Sequence, residues 1–205
     1  MKWTLKQQGV EIIMVVRCAR SGFLSLVILA AMAACATLPS SPRDILDERT
    51  GVTVSVVGAP LVLERGPNGA SAHDFLTLIA IQQDDAGKHT AFILLYRWAV
   101  FYGGAPFGAG PGSGELLIDV DGHSIDLQPL PQLPVGLPGP QDLFVPDTTE
   151  SAMRAYVTDL ETMRLIAASH AIIVRLPKES PTGSFTPWHD GRPELGQFVK
   201  HLSGP

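Results

Sequence analysis

The chain has 205 residues, 45% hydrophobic and 17% charged, with 15 basic against 20 acidic side chains and a formal net charge of −5. That length and apolar content suit one globular domain with a short accessory segment. The basic residues are few and scattered, which excludes a nucleic-acid partner, and a total of two cysteines excludes a disulfide-stapled scaffold.

The accessory segment comes first. Read from Met14, the expected translation start, Arg17 and Arg20 precede an uncharged apolar run from Phe23 to Ala34, which ends in Met32-Ala33-Ala34-Cys35. A spanning helix needs about 20 apolar residues and a signal h-region about 7–15, so the run fits the second. Thr37, Pro39, Ser40, Ser41, Pro42, Arg43 and Asp44 then turn the chain polar at once, as a tether does. Basic, apolar, then small-small-Cys resembles the lipobox signal peptide of bacterial lipoproteins; the alternatives are an ordinary secretory signal cut after Ala34 and a buried apolar helix, with Cys35 incidental. The resemblance implies cleavage before Cys35, acylation of Cys35 and, because Ala36 rather than aspartate follows, sorting to the outer membrane with the protein facing the periplasm. Residues 1–34 are then the signal peptide, 35–49 the lipidated cysteine and tether, and 50–205 a single periplasmic β-rich domain. Removing 1–34 takes four basic residues and one acidic one, leaving 171 residues with 11 basic and 19 acidic, a net charge of −8. No cysteine is left beyond Cys35. Thiol redox chemistry, a cysteine nucleophile and a thiolate metal site are therefore excluded from the domain.

In the domain, Val52, Val54 and Val56 alternate with Thr53 and Ser55, the period of a strand with one buried face. Leu61-Val62-Leu63 restarts an extended segment, and Gly66-Pro67-Asn68-Gly69 is a turn. Asp74–Gln82 reads as a strand apolar on both faces. The turn Asp84-Asp85-Ala86-Gly87 leads into the longest strand, His89–Tyr102, with Phe92, Leu94, Tyr96, Trp98 and Val100 on one face. Ile93, Leu95, Ala99 and Phe101 line its other face, which predicts a central strand between layers. Arg97 interrupts that second face and must reach an edge or a carboxylate. Gly103–Gly114 is a glycine- and proline-rich loop. Asp121-Gly122 between Glu115–Val120 and His123–Leu127 predicts a tight hairpin. Residues 128–148, rich in Pro and Gly, are expected to wander across the surface as a loop, with a short extended piece near Leu143–Val145. Ala155–Val157 is extended, and Thr158-x-x-Glu161 is a capping box opening a helix to about Ser169. Ala171–Leu176 and Ser184–Trp188 are strands, and Pro193 opens a closing helix with Leu195, Phe198, Val199 and Leu202 on one face. The expected fold is mainly β with two short helices (α+β), as an antiparallel β-sandwich or meander.

The candidate chemistry is thin. Gly108–Gly114 matches neither G-x-G-x-x-G nor the Walker pattern, no Lys-Ser/Thr follows, and a strand rather than a helix comes next. Pro111 stands two residues before Ser113, so the G-x-S-x-G elbow fails too. Asp119-Val120-Asp121-Gly122 offers too few oxygen ligands for a calcium loop and reads as a turn. His73, His89, His123, His170, His189 and His201 lack H-x-H or H-E-x-x-H spacing. His73-Asp74 and His189-Asp190 are strand neighbours, whose side chains point to opposite faces. Tyr96, Trp98 and Tyr102 share one face, a core face in preference to a stacking surface. Trp188 is the expected exposed aromatic. The residues thus assign no catalytic, cofactor-binding or metal site, and Cys35 alone is assigned, as the lipidation site.

Thr50-Gly51-Val52-Thr53 through Pro60-Leu61-Val62, and Tyr156-Val157-Thr158-x-Leu160, resemble small uncharacterised proteobacterial lipoproteins. Lipid attachment supplies the membrane contact, and the expected role is a structural or protein-interaction module with an envelope partner. The alternatives are a periplasmic small-ligand carrier or sensor gated by the 103–114 and 128–148 loops and, last, an uncommon hydrolase.

Overall fold

A 14-residue hairpin sets the architecture. In the computed structural model, which describes residues 41–66, 72–101, 114–144, 152–178 and 183–204, β4 (Ala72–Asp85) and β5 (Lys88–Phe101) pair antiparallel from Asp85↔Lys88 to Ala72↔Phe101. Ala86 and Gly87 close it with φ of 52° and 87°, the left-handed pair of a type I′ turn whose twist matches the strands. Both faces are apolar and buried: Ile79, Ile81 and Leu94 on one, Leu76, Leu78 and Leu95 on the other. A ribbon buried on both sides needs a layer against each face, as the double-sided pattern required.

The remaining strands extend the ribbon sideways into one sheet. β1 (Arg43–Asp47) pairs with β2 (Val52–Val56), which lies along one end of β4; β3 (Leu61–Arg65) lies along the other end of the same edge. From β3 the sheet continues through β10 (Ser184–His189), β9 (Ile172–Arg175), β6 (Leu116–Val120) and β7 (His123–Leu127), while β8 (Ala152–Thr158) pairs with the free edge of β5. Every ladder is antiparallel. The chain beyond β7 bridges Pro129 to Tyr156 on β8, with Leu130 N donating to Ala155 O at 2.8 Å. The sheet therefore curls back toward its own start without a closing ladder. Cross-strand partners share a face, so register follows the inner wall from Leu76 to Leu63 and onward through Phe185, Val174, Ile118 and Leu116, all wholly buried.

The helices cover part of that inner face. α1 (Leu160–Ala168) and α2 (Arg192–Leu202) pack on each other, and Ile166 and Leu195 share a cavity wall with Leu61, Leu78, Ala80 and Ile93. Phe198 is wholly buried and Val199 nearly so. Each such side chain contributes about 1.5–3 kcal/mol of burial. No helix among the described residues is long and apolar enough to cross a membrane.

Four local expectations need correction. Residues 43–47, inside the expected tether, form edge strand β1: Ile45 faces Val54 across the ladder, and Asp44 accepts from Ser55 Oγ at 2.6 Å. The expected extended piece near Leu143 is a 3-10 turn, Pro140–Leu143, where proline at its start and the left-handed Phe144 (φ 54°) bend the chain. The 128–144 segment crosses the outer face rather than wandering: Gln83 Nε2 donates to Val135 O at 2.7 Å, Arg43 Nη2 to Asp142 O at 2.8 Å, and Leu143 is 1% exposed. The capping residue of α1 is Asp159, whose carboxylate accepts from Thr162 N at 2.6 Å. Thr158 is instead the last residue of β8, paired with Ala91, and its buried hydroxyl has no hydrogen-bond partner among the described residues. Asp and Thr are comparable caps by composition; the ladder with β5 keeps Thr158 extended and passes the cap to its neighbour.

Candidate functional site

Chemistry-bearing side chains gather where β3, β4, β5 and β10 run side by side at one end of the sheet. Alternation divides them between two faces. On the inner face, Asp74 receives two guanidinium groups: Arg97 forks onto it, Nε to Oδ1 at 3.1 Å and Nη2 to Oδ2 at 2.9 Å, and Arg65 Nη2 donates to Oδ2 at 2.5 Å. All three side chains are less than one-fifth exposed, and Arg65 also lies 5.2 Å from the centre of the Phe185 ring. The charge that breaks the apolar face of β5 thus reaches a carboxylate on the neighbouring strand. Such a bidentate pair fixes geometry as well as charge, and it pins the β3–β4–β5 register.

On the outer face the same strands carry rings. Phe75 stacks on Trp98, centroids 4.3 Å apart at 14°, and on His73 at 6.3 Å and 19°. Trp98 Nε1 donates to Thr77 Oγ1 at 3.0 Å, which satisfies the one buried polar residue of the ribbon. Trp188 meets Phe75 edge to face at 5.6 Å and 72°. Its position comes from a break in register: Pro187 pairs with Leu63 and His189 with Val62, leaving Trp188 as the extra residue of a bulge. Bulges re-aim side chains, and this one leaves the indole 62% exposed. Glu64 Oε1 and His73 Nδ1 are hydrogen-bonded beside the rings.

The histidines are dispersed among separate carboxylates. His201 Nε2 lies 3.2 Å from Asp44, His170 Nδ1 lies 3.6 Å from Asp121 and His89 Nδ1 lies 4.0 Å from Asp84. His73 and Asp74 take different partners on opposite faces, as strand neighbours must. Asp190 pairs with Arg192, Oδ2 to Nη2 at 2.7 Å, and this contact with the guanidinium holds its carboxyl below the usual range. Among the described residues no group of three His, Cys, Asp or Glu side chains is placed to hold a metal ion. Asp121, with φ of 50°, forms a type I′ turn with Gly122 (φ 86°), and its carboxylate accepts from Ala171 N at 2.8 Å and His170 N at 3.0 Å. Those backbone donors hold its carboxyl below the ordinary value. Asp119 pairs with Arg175. The Asp119–Gly122 segment is therefore a structural turn with both carboxylates committed.

Tyr96 is a core residue at 5% exposure, and burial pushes its phenol upward. Trp98 is half-buried, while Tyr102, Cys35 and residues 103–113 lie outside the described residues. The exposed Trp188 agrees with the reading of the sequence. The Phe75 support and the Glu64–His73 pair were missed. Their signal was modest: His73 and Phe75 are two apart on one strand, and Glu64 pairs with Phe75 only once register is known. The cavity between Leu61, Leu78, Ile166 and Leu195 is about 20 Å³ and apolar. That is room for about one water, against about 300 Å³ or more for a small-molecule pocket. No family model, no curated protein and no solved structure matches this chain.

Proposed function

We propose that the chain is a lipid-anchored envelope protein, acylated at Cys35 and held at the outer membrane facing the periplasm, whose β domain works by contact with an envelope partner. Arg17, Arg20, the apolar run and Ala33-Ala34-Cys35 support the anchor. Each buried methylene of an acyl chain contributes about 0.8 kcal/mol, and more than one chain makes attachment stable. The observation that carries the interaction role is Trp188: a bulge holds a large aromatic side chain outward, against a stack that keeps it from folding inward. Exposed aromatic anchors of this kind are typical centres of recognition. Fractionation of cells fed a labelled fatty acid tests the anchor. The parent chain is expected in the membrane fraction with label, and Cys35→Ala in the soluble fraction without it. Recovery of the parent chain soluble and unlabelled would overturn the proposal.

A further inference from the structure

The surroundings of Trp188 define the chemistry that fits it. Among the described residues, the other exposed large apolar side chains, such as Leu46, Val135, Val157 and Leu165, belong to β1, the 128–144 segment, β8 and α1, and the exposed aromatic side chain beside Phe75 is the Trp188 indole. Polar groups border it. Thr186, two residues earlier on β10, is exposed and pairs with Glu64 across the ladder. Glu64 is held by His73 through Oε1, and among the described residues Oε2 accepts no hydrogen bond. The indole N–H of Trp188 likewise donates to none of the described residues.

A protein hot spot sits within a wider patch of contacts that excludes water around the anchor once the partner is docked. A single flat ring bordered by hydrogen-bonding groups matches a pyranose, which presents polarised C–H bonds on one face and hydroxyls around its rim. The negative face of the indole attracts those C–H bonds. Phe75 fixes the ring in advance, which cuts the entropy lost on binding. We infer that this outer face is a saccharide-binding subsite: the Trp188 indole stacks on a pyranose ring while Glu64, oriented by His73, and Thr186 take its hydroxyls. The inference rests on the interaction reading above and names the partner's chemistry as a glycan chain.

The test uses the mature acylated protein, beginning at Cys35, in lipid nanodiscs, titrated with cellohexaose and with chitohexaose, with tryptophan emission and calorimetry as readouts. At least one hexasaccharide is expected to bind and to shift the Trp188 emission to shorter wavelength. Trp188→Ala should weaken binding at least about tenfold, with Trp188→Phe intermediate. Glu64→Gln should weaken it severalfold at an unchanged melting temperature. Three outcomes overturn the assignment: neither saccharide binds, Trp188→Ala binds like the parent, or a proline-rich peptide shifts the emission where saccharides do not. Acylation at Cys35 without saccharide binding refutes this subsite alone; saccharide binding by protein recovered from its native cells soluble and without acyl label at Cys35 refutes the anchor alone.

Discussion

Gly191 and Gly196 lie five residues apart, and substitution by alanine should move stability in opposite directions. Gly191 is the residue before α2, with φ −90° and ψ 12°, values any residue adopts, so backbone strain is no obstacle. Space is. A Cβ there would press on Pro60 O and sit 2.6 Å from Pro60 C and 2.8 Å from Leu61 N. Carbon atoms pack comfortably at about 3.5–4.0 Å, so the β2–β3 connection or the start of α2 must move by about 1 Å. Both are backbone, and Leu195 and Phe198 behind them are buried. Overpacking of this kind costs about 2–3 kcal/mol. At Gly196, inside α2, the nearest atom to an added Cβ is Ala167 Cβ at 3.9 Å, an ordinary contact. Alanine there gains about 0.5–1 kcal/mol from helix propensity. For a domain of this size, 1 kcal/mol shifts the melting temperature by about 2–4 °C. Calorimetry on matched samples should place Gly191→Ala about 4–12 °C below the parent and Gly196→Ala about 1–4 °C above it. Melting of Gly191→Ala at the parent temperature would refute the close approach of α2 to Pro60.

Three further outcomes follow from individual contacts. Asp74→Ala leaves Arg65 and Arg97 without their shared carboxylate and should cost about 3 kcal/mol in urea denaturation, the scale for breaking a largely buried pair; a change under about 0.5 kcal/mol would remove the triad from the account of register. Asp159→Ala should cost about 1 kcal/mol as the lost cap of α1, whereas Thr158→Val, which replaces an unpartnered buried hydroxyl by a methyl, should be neutral or stabilising; the reverse order would restore Thr158 as the cap. The backbone N–H groups of Ala171 and His170 hold the Asp121 carboxyl below its ordinary value in the fold, so its contribution is present above the ordinary carboxylate range, about pH 4, and is lost as pH falls through the lower folded value. Asp121→Asn keeps the turn, because asparagine tolerates positive φ, and should flatten the stability profile below about pH 4; an unchanged acid limb would show that the backbone donors contribute nothing there.

The strands from β2 onward, both hairpin turns and the closing helix were legible because they are written in local pattern. Alternation in Val52–Val56, Asp-Gly at 121–122 and the i, i+3, i+4 spacing of Leu195, Phe198 and Val199 each need only a few neighbouring residues to act. The double-sided apolar character of β4 and β5 announced a sandwiched ribbon, and Arg97 announced a carboxylate. The partner at Asp74 was not legible, since it lies 23 residues away and depends on register. Nor was β1, whose Arg-Asp-Ile-Leu-Asp is polar enough to pass for a tether; its pairing with β2, along with Ser55 and His201 on Asp44, keeps it in the sheet. The same holds for the cap of α1, where two adjacent residues of similar capping propensity compete and the β5 ladder decides between them.

Composition and order along the chain by themselves determined an acidic, mainly β chain with no cysteine after Cys35, because charge, cysteine content and hydrophobic period are properties of the chain. Tertiary structure alone decided which side chains meet. It brought Glu64 beside His73, set Trp188 out on a bulge over Phe75 and sent Arg65 and Arg97 to one carboxylate. Those meetings depend on a register shared by four strands, β3, β4 and β5 consecutive in the chain and β10 far beyond them, and register is settled by the whole buried face at once.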